Sequence, residues 1–150
     1  MDILANAAAC TASEIASKFL DSWNNHDVDA MMDLFLSDGT FSTPAFAVPL
    51  SGDTMRAYIG SLFSSMPDLK ATVVLAGALN TDVHAGRYVV TGTWTKPATV
   101  GPLAGMPPSG KPISLDTADF LELKNGKIAA CIQYYDRMSL LMQLGVIPQR

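Results

Sequence analysis

The sequence offers little for metal, redox or disulfide chemistry. Its two cysteines, Cys10 and Cys131, form neither a CxxC pair nor a disulfide framework. Its two histidines, His26 and His84, are too few for a histidine-rich metal site, so no metal is expected. Charge is sparse as well, at 16% of residues, and the ten basic residues are scattered from Lys18 to Arg150 without a run. That scatter argues against a surface that follows a phosphate backbone, so no nucleic-acid partner is expected. No apolar stretch is long enough to span a bilayer. The opening MDILANAAAC lacks the basic flank and long apolar segment of a secretory signal. An intracellular, cytoplasmic protein without membrane association is the expectation. What is abundant is apolar side chain: 49% of 150 residues are hydrophobic and the net charge is −4. Such a chain can bury one sizeable core, as a single domain over residues 1–150.

The first ten residues read as a loose arm. TASE then fits a capping box, with Thr11 accepting from the backbone and Glu14 reaching back, which predicts a helix start near Thr11. Ile15, Phe19 and Trp23 give this helix one apolar face, and NNHD ends it. Val28, Met31, Met32 and Phe35 share a face of a second, shorter helix stopped by SDG. TFSTP reads as a short strand. Residues 52–66 form a third helix, with Met55, Tyr58, Ile59, Leu62 and Phe63 on one side and Pro67 after it. From Leu69 the pattern changes to runs rich in β-branched and aromatic residues: LKATVVLAGAL, VHAGRYVVTGTWT, KPISLDTADFLEL and KIAACIQYYD. KNGK between the last two is an Asn-Gly hairpin signal. A proline- and glycine-rich loop runs from Lys96 to Lys111, and a short helix from about Met138 to Leu144 closes the chain, with Asp136 as its N-cap. Helices first and antiparallel strands after is an α+β pattern. A strongly twisted sheet curling around a helix pair leaves a concave face suited to a small molecule.

The strand before the hairpin carries the sharpest candidate. One parity reads Ile113, Leu115, Thr117, Asp119, Leu121 and Leu123, and side chains of one parity share a face. A carboxylate on so apolar a face must be hydrogen-bonded, paired or raised in pKa, and a raised pKa is what a general acid or base needs near neutrality. A structural ion pair or a place at the wet edge of the sheet is the plainer reading. Counting outward from Asn125 and Gly126 puts Asp119 opposite Ile132, whereas a one-residue bulge puts it with Gln133, so the hairpin alone leaves both registers open. Asp116, Phe120 and Glu122 fall on the other face, read as the outer side or a dimer contact. Trp23, Trp94, Tyr58, Tyr88 and Tyr135 are candidate pocket walls, with ordinary core as the alternative for each. His26 is expected at a helix end or facing solvent, His84 is expected to be exposed, Arg56 to lie solvated on its helix, and Cys131 to be a small buried hydrophobe. The glycines of GPLAG form no phosphate motif.

FLDSWNNHDVDAMMDLF, MPDLKATV, GTWTKPATVGPLAGMPPSGKPI and NGKIAACIQYYDRMSLLMQLGV together resemble the SnoaL-like polyketide cyclases, also called ester cyclases, of the NTF2-like superfamily. The resemblance runs from about Phe19 to Val146. It implies a cone-shaped α+β barrel in which a curved antiparallel sheet wraps around the N-terminal helices, and a homodimer formed through the outer side of that sheet. It also implies an intramolecular aldol reaction that closes the last ring of an aromatic polyketide in secondary metabolism, with no metal or organic cofactor. The family uses an aspartate on the last strand, assisted by a histidine on the preceding one. Anchored on NGKI, the aspartate position here holds Gln133, the histidine position holds Asp119, and Trp94 replaces the histidine of a familiar GTH. An amide cannot take a proton, so Gln133 is no acid or base. The resemblance puts Asp119 and Gln133 in one pocket and so favours the bulged register.

Three functions follow. The first is a cyclase, isomerase or dehydrating lyase acting on a carbonyl-bearing apolar or polycyclic substrate. In it Asp119 is a relocated acid/base and Gln133 orients the substrate, while Trp23, Tyr58, Trp94, Thr117 and Tyr135 bind it. The second is a non-catalytic protein that kept the pocket and lost the chemistry. The third is an epoxide hydrolase, which the resemblance disfavours because Thr117 stands where such enzymes resemble one another in an arginine.

Overall fold

Four alanines precede Thr11, and alanine has the highest helix propensity of all residues. The computed structural model accordingly carries the first helix, α1, from Ile3 to Asn24, with Thr11 inside it. The loose arm and the helix start at Thr11 are thus corrected for residues 3–10. The structure describes residues 3–148, and their side chains from residue 12 onward, so Met1 and Asp2 lie outside the described residues.

His26 ends the α1 segment in a left-handed conformation (φ 55°). Asp27 then caps α2 (Val28–Asp33) by accepting from the Ala30 amide at 3.0 Å. SDG does not stop this helix. It lies inside strand β1 (Phe35–Ser42), which takes in Phe35 as well. The reason is close approach: a Cβ on Gly39 would sit 2.8 Å from the Ile128 carbonyl oxygen, so glycine lets β1 pack against the hairpin. A two-residue strand β2 (Leu50–Ser51) leads into α3 (Gly52–Ser65), which opens with a Ser51–Thr54 capping box. The strands β3 (Lys70–Ala78), β4 (Val83–Thr93), β5 (Pro112–Lys124) and β6 (Lys127–Tyr135) follow as predicted, and α4 (Arg137–Gln143) ends the described fold. Asp136 caps α4 through the Ser139 amide at 3.1 Å.

The six strands form one sheet in the order β2-β1-β6-β5-β4-β3. All neighbours are antiparallel except β1 and β6, which are parallel. The sheet is curved and unclosed, with β2 and β3 at its edges. Its concave side buries Phe19 and Trp23 of α1 and Ile59 and Phe63 of α3 against Phe41, Leu121 and Ile128. Asn24 ties α1 to the sheet edge with a reciprocal pair of bonds to Ala71, at 3.0 and 2.8 Å. Gln143 fastens α4 to β5 in the same way: its oxygen accepts from the Ser114 amide at 2.7 Å and its nitrogen donates to the Ser114 carbonyl at 3.1 Å. Among the described residues no helix is long and apolar enough to cross a membrane.

The hairpin settles the register. Asn125 (φ 53°) and Gly126 (φ 75°) occupy the turn, as the Asn-Gly signal requires. Leu123 pairs with Ile128 but Glu122 pairs with Ala130, so Ala129 is an extra residue, a β-bulge. Beyond it Asp119 pairs with Gln133.

Candidate active site

The alternation along β5 turns Thr117, Asp119 and Leu121 inward and leaves Asp116, Phe120 and Glu122 exposed. Asp119 is only 6% exposed, and its Oδ1 has no hydrogen-bond partner. Burial raises its pKa to about 7, because a carboxylate loses most of its hydration there. Its neighbours across the sheet are Gly86 on β4 and Gln133 on β6. A Cβ on Gly86 would lie 2.3 Å from the Tyr88 hydroxyl. The phenol therefore folds back over the glycine and occupies the strand position directly across from Asp119. Burial, followed by the nearby charge of Asp119, pushes the Tyr88 pKa up. Cys131 is a buried free thiol, also pushed up by burial.

Gln133 accepts a hydrogen bond from Thr43 through its amide oxygen at 3.2 Å. Its NH₂ end is left to donate to a ligand oxygen. Asp119 and Gln133 border a chamber with Phe19, Trp23, Tyr88 and Thr117, whose free volume is about 20 Å³. That is room for roughly one water. A second compartment, of about 60 Å³, shares Trp23, Thr117 and Gln133 with the first and adds Tyr58 and Tyr135. A third, also about 60 Å³, shares Tyr58 and Tyr135 with the second and lies beneath the 96–111 loop. The Tyr58 pKa is raised by burial and then by the adjacent Tyr135. The Thr117 hydroxyl is satisfied within its own strand, donating to the Leu115 carbonyl at 3.4 Å.

Trp23, Tyr58, Thr117, Tyr135, Asp119 and Gln133 are thus brought to the walls of three adjoining compartments. Trp94 is not. It is 2% exposed and packed in the core, outside the walls of the three compartments. Its backbone clamps the base of the loop, donating to the Lys111 carbonyl at 3.2 Å and accepting from the Gly110 amide at 2.8 Å. His84 departs from its expected exposure. It points inward on β4, is 5% exposed with Nδ1 unpartnered, and has its pKa lowered by burial. His26 stays at the helix end, stacked on Phe63 at 4.5 Å and donating from Nε2 to the Leu69 carbonyl at 2.7 Å. Arg56 pairs with Asp29, and Arg87 with Asp116 at 3.2 Å, both on the surface. Thr43 is a site residue that the sequence reading misses. Tyr88 is weighed there only as a wall, although a glycine in mid-strand beside it is the signal of a close approach.

The sequence profile described as SnoaL-like polyketide cyclase matches residues 13–144. The chain belongs to the SnoaL-like polyketide cyclase family. A comparison with curated proteins finds no match. Among solved structures, AclR from Streptomyces galilaeus, a proposed hydroxylase, is similar at 20% identity and a TM-score of 0.78, over 95% of this chain and 85% of that one. IdmH from Streptomyces antibioticus, a proposed polyketide cyclase, is similar at 21% identity and a TM-score of 0.69, over 89% and 98%. A protein of ketosteroid isomerase-like fold from Catenulispora acidiphila, in complex with trimethylamine, is similar at 20% identity and a TM-score of 0.70, over 88% and 92%. These likenesses show the NTF2-like, ketosteroid isomerase-like fold, which hosts more than one reaction.

Proposed function

We propose that this chain is an acid–base enzyme that moves a proton on a carbonyl-bearing, polyketide- or terpenoid-like small molecule. The observation that carries the proposal is the inward Asp119 carboxyl, with Oδ1 unpartnered and Gln133 directly across from it. A carboxyl that titrates near neutrality is divided between base and acid forms where the enzyme works. As base, Asp119 takes the proton from the carbon beside a carbonyl; the C–H pair becomes an enolate, whose oxygen accepts from the Gln133 NH₂. In an aldol closure the enolate carbon attacks a second carbonyl of the same molecule, and the resulting alkoxide takes the proton back from Asp119. Isomerisation returns it to another carbon, and dehydration delivers it to a departing hydroxyl. Apolar walls from Trp23, Tyr58 and Tyr135 exclude water that would quench the enolate.

A second reading, a binding protein without turnover, is favoured by Gln133, an amide where the family resemblance implies an aspartate. Asp119→Asn separates the two. The enzyme reading expects turnover of a polyketide-type β-dicarbonyl substrate to fall by about 10²–10⁴-fold. Unchanged turnover in the variant sinks it, and a wild-type protein that binds such substrates without converting any supports the binding reading. The outer face belongs to the same proposal. Phe120 and Tyr134 meet edge to face at 6.2 Å yet remain 37% and 58% exposed, and a homodimer would cover them.

A further inference from the structure

The third compartment has no wall from Asp119 and adjoins the second through Tyr58 and Tyr135. Its roof is the 96–111 loop, held down by the Thr99 and Val100 amides donating to Ser61 Oγ at 2.9 and 3.3 Å. Its walls are almost wholly apolar, and among the described residues the one charged side chain on them is Arg137. Arg137 is half-buried, and no carboxylate among the described residues pairs with it. The adjacent Asp136 is occupied in capping α4.

The surrounding sequence is one-sided in charge. Residues 94–115 hold Lys96 and Lys111, and residues 137–148 hold Arg137, with no Asp or Glu in either stretch of a chain whose net charge is −4. A half-buried arginine without an ion-pair partner among the described residues favours an incoming anion. Its planar fork matches a carboxylate, and among the described residues no second cation lines this compartment to build the multi-donor cradle that suits a phosphate.

We propose that the compartment beneath the 96–111 loop binds the carboxylate of an elongated, otherwise apolar ligand through Arg137. The ligand's body then runs past Tyr58 and Tyr135 toward Gln133 and Asp119. That this ligand is the substrate, a carboxylic acid carrying its carbonyl at the other end, presupposes the acid–base role of Asp119; its binding does not.

Titration calorimetry of the full chain with decanoate, decanol and decyl phosphate tests the assignment. Decanoate is expected to bind more tightly than either of the others. Arg137→Gln is expected to weaken decanoate by about tenfold or more while moving decanol less than about twofold. Arg137→Lys, which keeps charge but loses the fork, falls between. Should R137Q fail to fold, wild-type binding of decanoate must still weaken as the acid is protonated at low pH, while decanol does not. Equal affinity for decanoate and decanol, a preference for decyl phosphate, no decanoate binding, or equal weakening of both by R137Q overturns the assignment. The Arg137 effect on decanoate is read in Asp119→Asn as well. Full turnover in that variant with an intact Arg137 effect removes the acid–base reading and leaves the anion site.

Discussion

Asp119 keeps its proton to higher pH in the folded chain than in the unfolded one. The unfolded carboxyl loses it near the ordinary 3.8, the folded one near 7. Between those values the folded state binds more protons, so stability falls as pH rises through the window and is level above it. The shift corresponds to about 4 kcal/mol. Asp119→Asn should therefore match the wild type in urea unfolding near about pH 4 and exceed it near about pH 8 by up to that amount. Equal stability at both values contradicts the burial. His84 has the opposite sign. Its pKa lies below the ordinary 6.5, so the unfolded state binds the extra proton in acid and stability is lost as pH falls below 6.5. His84→Leu should flatten the acid limb of the stability profile. At Gly86, alanine meets the Tyr88 hydroxyl head on. Gly86→Ala should cost about 1–3 kcal/mol in denaturant unfolding, and less in a Tyr88→Ala background that frees the space. The inward face of Asp119 was legible because alternation is a local property of a strand. Whether water reached it was not, because its cover comes from α1, about a hundred residues away in sequence. The same gap applies to the burial of Trp94 and His84, which alternation alone does not give.

The β5–β6 hairpin is the element on which the candidate site depends. Its turn was legible from two residues, Asn125 and Gly126, whose positive φ values few other pairs adopt. Its register was not. A regular ladder and a bulged one both give each strand an apolar face, so only pairing with β1 and α1 selects between them. The bulge at Ala129 sits where β1 also breaks register, between Phe35 and Thr40, and the two irregularities accommodate each other. Gly126→Ala forces a methyl into a left-handed conformation. It should cost about 1–2 kcal/mol, measured by thermal unfolding, and should loosen the pairing of Asp119 with Gln133. The parallel β1–β6 contact was beyond the sequence reading because it joins segments separated by most of the chain, with no local pattern that announces it. The extension of α1 to Ile3 shows the reverse case: alanine propensity was present in the sequence but was outweighed by a capping signal that lies inside the helix.

At the scale of the whole molecule, the sheet separates two surfaces. The concave one borders the adjoining compartments, and the convex one exposes Phe120 and Tyr134. Phe120→Asp in the proposed dimer should give a monomer by sedimentation velocity with an unchanged fold. A wild-type monomer at micromolar concentration contradicts the dimer while leaving the interior untouched. The family was legible from four sequence blocks. The order of the three compartments was not, since it arises from how α3, the 96–111 loop and α4 meet over the sheet. The central claim is that a water-poor hollow holds the Asp119 carboxyl poised between acid and base. Carboxyl ¹³C NMR across a pH titration, with Asp119→Asn used to assign the resonance, measures this most directly. The account predicts an inflection near 7, absent in the variant. An inflection near the ordinary 3.8 contradicts it.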